Sequence, residues 1–230
     1  MPNDETVDAG RGLQAVLFDM DGTLVDTEPH WMAAEYELVE QHGGTWNDDH
    51  ANALVGSDLI RAAEYLRDVG GVELAPPTIV GRMLDSVIRG VGGQMPWRPG
   101  ARELLTECRA AGVPCAMVTM SYRSLAETLV RQLPPDTFAT IVTGDDVRHG
   151  KPHPEAYLTA CARLGVEPAA TVAIEDSPTG VASAEAAGCV AVAVPFRVPV
   201  SAAPGRVLAG SLAELTLADL TALVARRAAT

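Results

Sequence analysis

Short runs of apolar residues recur along the chain, and segments with the apolar spacing of amphipathic helices separate most of them. The five apolar runs cover residues 15–18, 113–118, 140–142, 171–174 and 190–194. Short apolar runs bounded by turn residues are typical of buried strands, and strands that alternate with helices form parallel sheets. The accompanying helices are predicted over residues 101–111, 125–133, 154–164 and 179–187. We therefore expect an α/β fold with a three-layer core, in which helices cover both faces of a parallel sheet.

The segment 29–93 departs from this alternation, because it contains helical patterns and no run that resembles a strand. Helices are predicted over residues 59–69 and 79–89, and the glycine-rich stretch that follows is typical of a hinge. We expect 29–93 to form an inserted small α-helical cap domain, which emerges just after the first strand and acts as a lid. Residues 13–28 and 94–230 would then form the core, preceded by a polar tail over 1–12.

The composition narrows the class of protein. The chain has 230 residues, of which 47% are hydrophobic, and its formal net charge is −13. That many apolar residues can bury a sizeable core. The negative charge argues against binding to nucleic acid or to an anionic membrane surface. No apolar stretch reaches the roughly 18 residues that a membrane-spanning helix needs, so we expect no membrane association.

The tail and the cysteines favour a cytoplasmic protein. The first twelve residues are polar and lack the basic and apolar regions of a signal peptide. The cysteines form no C-x-x-C pair, which predicts buried free thiols in place of disulfides or a zinc site; they are Cys108, Cys115, Cys161 and Cys189. Nothing in the sequence requires more than a monomer or a weak homo-oligomer.

Polar residues follow three of the predicted strands at the point where each strand ends, and a turn between two of the strands holds a lysine. These residues are Asp19 and Asp21 after the first strand, Thr119-Met120-Ser121 after the second, Lys151 within Gly-Lys-Pro-His-Pro, and Glu175-Asp176 at the fourth. The carboxyl ends of parallel strands meet at one edge of a sheet, where open α/β sheets bind ligands. We therefore expect these side chains to converge on one crevice.

Carboxylates gathered in this way require a cation. Two like charges about 4 Å apart repel by roughly 4 kcal/mol at an effective dielectric constant near 20. Oxygen ligands with room for water suit Mg²⁺, which is the cofactor that we expect. A carboxylate beside Mg²⁺ is a suitable nucleophile for a phosphoryl group, because the metal screens the charge of the phosphoryl oxygens.

In these residues and their order, the chain resembles the haloacid dehalogenase superfamily, in its phosphatase and phosphomutase branch with a small helical cap. Asp19-Met20-Asp21-Gly22-Thr23-Leu24 matches the first motif of that family, and Thr119 the second. Lys151 matches the third motif, and Glu175-Asp176 the fourth. The resemblance extends over nearly the whole chain from about residue 13, and it implies a Rossmann-like core with an inserted cap.

The resemblance implies a role for each matched residue. Asp19 would be the nucleophile that forms an aspartyl-phosphate, and Asp21 would act first as the general acid and then as the base. Thr119 and Lys151 would bind the transferring phosphate, together with the backbone N–H of Met120.

The resemblance also implies a set of metal ligands. Asp19 would bind Mg²⁺ through its side chain, and Asp21 through its backbone carbonyl. Asp176 would be the acidic ligand of the fourth motif, supported by Glu175 directly or through water.

The presence of Asp21 favours phosphate-ester chemistry, because the true dehalogenases of the superfamily lack an acid two positions after the nucleophile. We expect an Mg²⁺-dependent phosphomonoesterase that acts on a small phosphorylated metabolite of the sugar-phosphate type. One alternative is a β-phosphoglucomutase-like isomerase of sugar phosphates. Another, from a different class, is a non-catalytic sensor of a phosphorylated ligand, against which the intact motifs argue.

Further candidate substrate-binding residues are His30, Trp31, Gly56 and Ser57 in the cap, and Arg123 in the core after the second motif. Mutases of the β-phosphoglucomutase type use a cap histidine and a cap loop that contains glycine, serine and arginine. Here His30 is offset by one position and Trp31 stands in its register, while Asp58 stands where a cation is expected. These departures favour the phosphatase.

Overall fold

A parallel sheet of six strands forms the centre of the protein. The computed structural model describes residues 12–54, 57–92 and 95–229. The strands are β1 (Ala15–Phe18), β2 (Cys115–Val118), β3 (Thr140–Val142), β4 (Thr171–Glu175), β5 (Val190–Ala193) and β6 (Val207–Leu208). They lie in the order β3-β2-β1-β4-β5-β6, and every neighbouring pair is parallel. The predicted α/β fold is confirmed.

The sheet register explains why the functional ends of the strands meet. In β1, Phe18 pairs with Met117 of β2 on one side and with Ile174 of β4 on the other. The residues that follow Phe18 therefore lie beside the carboxyl ends of both neighbours. The strand order reverses between β1 and β4, which is the position where open α/β sheets form a ligand crevice.

Nine α-helices are present among the described residues, and most of them lie between successive strands of the chain. In chain order they are α1 (Glu28–Gln41), α2 (Asp48–Asn52), α3 (Leu59–Asp68), α4 (Pro76–Val91), α5 (Ala101–Ala110), α6 (Arg123–Val130), α7 (Glu155–Leu164), α8 (Pro178–Ala186) and α9 (Leu217–Ala228). The predicted set named no helix that corresponds to α1, α2 or α9 and no strand that corresponds to β6. Among the described residues, no helix is long and apolar enough to span a membrane.

Alternate residues of the strands face two different hydrophobic cores. Val16 and Phe18 belong to one cluster, which also contains apolar residues of α5, α6 and α9. Ala15 and Leu17 belong to the other cluster, which contains apolar residues of α7 and α8. This is the period-two alternation of a strand covered on both faces, and it gives the core three layers. All four cysteines are buried and free, as the sequence predicts.

Residues 29–92 are helical and contribute no strand where the structure describes them. Helix α4 packs against both α1 and α3. Two chain segments join these helices to the core, and they run side by side: Asp26 N–H donates to Pro96 O at 2.8 Å, and Arg98 N–H donates to Leu24 O at 2.9 Å. The helices α1–α4 therefore extend from the core through one paired connection.

Two glycines at the ends of α5 provide a test of how the start of that helix packs against residue 213. Gly100 has a φ of +86°, and a Cβ there would lie 2.1 Å from the backbone nitrogen of Ala213. Gly112 has a φ of +69° with nothing within 4 Å of its Cβ position. We expect Gly112→Ala to lower the free energy of unfolding by about 1 kcal/mol through backbone strain alone. Gly100→Ala should lower it by about 3 kcal/mol, because overpacking against backbone is added.

Urea unfolding followed by circular dichroism measures both changes. Equal losses for the two variants would show that the contact between the start of α5 and residue 213 does not constrain the fold.

Candidate active site

A cleft lies between the carboxyl edge of the sheet and the helices α1, α3 and α4. The sheet side and its loops contribute Asp19, Asp21, Thr119, Met120, Ser121, Lys151 and Asp176. The helical side contributes Glu28, Trp31, Glu35, Ser57, Leu59, Ala62 and Met83. The polar residues that follow the predicted strands thus converge on one cavity, and residues of the helices cover that cavity.

Lys151 lies between two carboxylates at the base of the cleft. Its Nζ is 2.7 Å from Asp19 Oδ1 and 2.6 Å from Glu175 Oε1, and it donates to Val118 O at 2.9 Å. These three acceptors match the three N–H donors of an ammonium group. Burial alone would lower the pKa of Lys151, but the adjacent Asp19 and Glu175 outweigh burial, and the pKa is raised above its ordinary value. Lys151 is therefore a permanent cation.

Two contacts fix Glu175. The buried Tyr157 hydroxyl donates a short hydrogen bond to Glu175 Oε1, the same oxygen that pairs with Lys151. A Cβ at Gly180, in the first turn of α8, would lie 1.8 Å from Glu175 Oε2, so this carboxylate fits only against a glycine. Glu175 is thereby held toward Lys151.

Asp21 is surrounded by hydrogen-bond donors. The Thr27 hydroxyl and the Trp31 indole N–H, the latter at 3.3 Å, donate to Oδ1. The hydroxyls of Thr119 and Ser121 donate to Oδ2 at 3.1 and 2.7 Å. Two of these donors belong to the start of α1 and two to the end of β2, so Asp21 joins the helical segment to the core.

Three acids lie close enough to share one cation. Ligand oxygens of Asp19, Glu175 and Asp176 all lie within 4.8 Å of one another. Burial raises the pKa of Asp19 to about 7 despite the neighbouring Lys151. Burial, reinforced by the charges of Asp19 and Glu175, raises the pKa of Asp176 to about 9. Both shifts have the same main cause, which is burial, and the charges of neighbouring carboxylates add to it.

This donor set fits a hard divalent cation, since every candidate ligand atom is an oxygen. The loop after β1 is also shaped around Asp176. Gly22 has a φ of +86°, and a Cβ there would lie 2.1 Å from Asp176 Oδ2. The glycine of the first motif therefore permits Asp176 to approach Asp19 and the backbone of Asp21.

The structure brings most of the sequence-predicted site residues together, and it places two elsewhere. Met120, Ser57 and Trp31 line the cleft with the four motifs. His30 packs against α4, where a Cβ at Gly90 would lie 2.4 Å from its Nδ1, and it does not line the cleft. The predicted substrate residue Gly56 lies outside the described residues.

Arg123 is the second residue that the structure places away from the cleft. Its guanidinium pairs with Asp146 at 2.6 Å and contacts Ile141 O at 3.4 Å. Arg123 is half-buried at the start of α6 and holds the neighbouring 3₁₀ turn Gly144–Asp146.

Sequence reasoning missed Thr27 and Tyr157, Glu28 and Glu35 on the helical side, and Arg197 in the loop after β5. A signal was available for the pair of glutamates only. Glu28 and Glu35 are seven positions apart, which places them on one face of a helix, with Trp31 between them. Tyr157 lies within an apolar helical pattern and is indistinguishable there from an ordinary core residue.

The comparison with known families agrees with this site. The sequence model of the haloacid dehalogenase-like hydrolases matches residues 13–188. The match covers more than half of the chain and includes all four motifs, so this protein belongs to the haloacid dehalogenase-like hydrolase family. The resemblance inferred from the motifs is confirmed.

Individual relatives are similar over most of the chain. A phosphorylated carbohydrates phosphatase from Thermotoga maritima is 31% identical over 177 residues, which cover 76% of this chain and 82% of that protein. Hexitol phosphatase B from Escherichia coli is 29% identical over 220 residues, covering 94% and 96%. The crystal structure of a CbbY variant from Rhodobacter sphaeroides with xylulose-(1,5)bisphosphate has a TM-score of 0.82 at 30% identity, covering 90% of this chain and 99% of that chain.

The hydrogen bond from Tyr157 to Glu175 can be tested by removing one oxygen. Tyr157→Phe leaves the buried Glu175 carboxylate without one donor, so we expect the free energy of unfolding to fall by about 1–3 kcal/mol. Tyr36→Phe is the matched control, because it removes a hydrogen bond to Asp48 that lies at the surface. The control should change stability by less than about 0.5 kcal/mol.

Thermal unfolding of the three proteins under one condition makes this comparison. A loss from Tyr157→Phe no larger than that of the control would mean that Glu175 does not depend on this hydroxyl.

Proposed function

We propose that this protein is an Mg²⁺-dependent phosphomonoesterase that acts on a small phosphorylated metabolite of the sugar-phosphate type. The observation that carries the proposal is the arrangement of Asp19 and Asp21 at one strand end, with Lys151 paired to the first acid and hydroxyl donors around the second. The names of the relatives from T. maritima and E. coli support the substrate class.

Asp19 is the proposed nucleophile. Its Oδ1 is held by Lys151, which fixes the carboxylate and supplies a cation where phosphate oxygens would arrive. Attack of Asp19 on phosphorus forms an aspartyl-phosphate and breaks the bond between phosphorus and the alcohol oxygen; water later cleaves the acyl-phosphate. Thr119, Lys151 and the backbone N–H of Met120 are the proposed donors to the transferring phosphate.

Asp21 is the proposed general acid and base. It would protonate the departing alcohol oxygen in the first step and take a proton from the attacking water in the second. Its four present donors hold the carboxylate in place at the mouth of the cleft. Because these contacts come from both α1 and β2, we propose that the position of α1 controls when Asp21 is free to donate.

Asp19, Asp176 and the backbone carbonyl of Asp21 are the proposed ligands of Mg²⁺. The bound ion would offset the charge of the carboxylates and of the phosphate oxygens. One oxygen of Glu175 already contacts both Lys151 and Tyr157. The proposed role of Glu175 is therefore to position Lys151 and to support the metal indirectly.

The helical segment 29–93 is proposed to act as the cap. Residues of α1, α3 and α4 line the cleft directly above the strand ends, so closure of these helices would exclude bulk water from the reacting groups. The paired segments at residues 24–26 and 96–98 are the proposed hinge.

Asp19→Asn should lower phosphate release by at least about 10³-fold, because the amide is not a nucleophile although it retains the volume and the acceptor for Lys151. Phosphate release from a panel of sugar and polyol phosphates, with p-nitrophenyl phosphate as a generic ester, provides the measurement. Asp85→Asn, at an exposed position of α4, is the control and should leave the rate unchanged. Retained activity in Asp19→Asn would refute the covalent mechanism.

The same panel separates the phosphatase from a mutase. A phosphatase releases inorganic phosphate and the free alcohol, whereas a mutase yields a rearranged sugar phosphate.

Removal of divalent cations should inactivate the enzyme. We expect EDTA to lower phosphate release by at least about 100-fold and added Mg²⁺ to restore it. Binding should also stabilise the fold, by about 2.7 kcal/mol at a concentration of 100 times Kd. Thermal unfolding with increasing Mg²⁺ should therefore show a rise for the parent and for Asp85→Asn, and a smaller rise for Asp176→Asn. Full activity in EDTA would contradict the metal assignment.

A further inference from the structure

The helical side of the cleft carries two acids that the proposed phosphate chemistry does not use. Glu28 and Glu35 lie on α1 and line the cleft, with Trp31 one turn after Glu28. Their spacing of seven residues places the two carboxyls on one face, about 10 Å apart along the helix axis. At that separation they cannot contact the same group of a small substrate.

Glu35 is buried in this wall and has one free oxygen. The residue is 4% exposed, and its Oε2 accepts from the indole N–H of Trp46 at 3.2 Å. No donor among the described residues reaches Oε1. The surrounding lining is apolar, from Leu59, Ala62 and Met83. Because Glu35 lines the cleft, a hydroxyl group that enters the cleft could donate to this oxygen.

The cations of the cleft are already engaged. Among the described lining residues they are Lys151 and Arg197. Lys151 is held by Asp19 and Glu175 at the base. Arg197 pairs with Asp26 at 3.3 Å and lies over the Phe196 ring at 4.6 Å. Among the described residues, the helical wall therefore presents carboxyl groups and apolar surface to a substrate and no lysine or arginine.

The ionisation of the two glutamates agrees with this charge distribution. Burial raises the pKa of Glu35 to about 8, and burial together with Asp21 raises the pKa of Glu28 to about 7. This part of the cleft disfavours negative charge even on its own side chains. A carboxyl group in either protonation state can accept from a hydroxyl.

We infer that Glu28 and Glu35 form a subsite for the hydroxyls of a neutral polyol or sugar chain, and that a substrate with a second anionic group is disfavoured there. Resting on the proposed function, this inference specifies the substrate as a monophosphate. Two acids that accept from hydroxyls at separate positions along the cleft favour a substrate with a chain of several carbons over a substrate with a short chain. A bisphosphate or a phosphorylated carboxylic acid carries a second negative group that needs a positively charged partner. The subsite offers carboxyl groups in that position.

Matched substrates test the charge of the subsite. We expect kcat/KM for fructose 6-phosphate and xylulose 5-phosphate to exceed that for fructose 1,6-bisphosphate and xylulose 1,5-bisphosphate by at least about tenfold. p-Nitrophenyl phosphate, which has no hydroxyl chain, reports the core chemistry separately. Equal or better turnover of the bisphosphates would overturn the inference while leaving the phosphatase intact. Absence of Asp19-dependent turnover on every ester would instead overturn the proposed function.

Variants at Glu35 test whether this residue forms hydrogen bonds with the hydroxyls of the substrate. Glu35→Met should raise KM and lower kcat/KM for the better sugar monophosphate by at least about tenfold, with p-nitrophenyl phosphate turnover changed less than about threefold. Glu35→Gln keeps an oxygen that accepts from Trp46 and places an NH₂ group, which can donate to a substrate hydroxyl, at the other position, so it should remain within about threefold of the parent. Glu37→Met, exposed on the same helix, is the control and should change neither substrate.

An equal loss on both substrates in Glu35→Met, or a loss in Glu35→Gln as large as in Glu35→Met, would show that Glu35 acts on the fold of α1 and not on the substrate.

Discussion

The buried ion pairs of Lys151 with Asp19 and Glu175 determine the geometry of the whole site. Taking these groups out of water costs several kcal/mol per ion, which only close and fully hydrogen-bonded contacts offset. The structure supplies those contacts: Lys151 has three acceptors, and Tyr157 donates to Glu175. Such a pair contributes little net stability, but it tolerates the loss of neither partner. It therefore fixes the turn that carries Lys151 against the ends of β1, β2 and β4.

The same constraint leaves the site short of positive charge. Asp19, Asp176 and Glu175 lie together around one lysine, and burial, reinforced by the neighbouring carboxylates, raises the pKa values of Asp19 and Asp176. A divalent cation relieves this excess, and it also allows a phosphate dianion to approach carboxylates that would otherwise repel it. The need for a cation and the capacity to accept phosphate are thus two consequences of one charge distribution.

The sequence predicted the parts of the fold and site that depend on local pattern and on topology. The five apolar runs became β1–β5, and the parallel order brought the polar strand ends to one edge. The two-residue strand β6 is too short to have a pattern, and α9 was absent from the predicted set. Tyr157 could not be assigned, because a contact between a distant helix and strand has no signature in either segment, whereas the spacing of Glu28 and Glu35 on one helix face was a signal that was missed. Arg123 shows the converse, since a basic residue near a motif found a nearer partner in Asp146.

Helix α1 connects recognition to chemistry. Its first turn and N-cap place Thr27 and Trp31 on Asp21, while its next two turns carry Glu35 into the cleft wall. Because a rigid helix transmits a displacement at one end to the other, we expect the proposed substrate contact at Glu35 to alter the donors that surround Asp21, the proposed general acid. Selection of the substrate and release of the general acid are therefore expected to depend on the position of a single element.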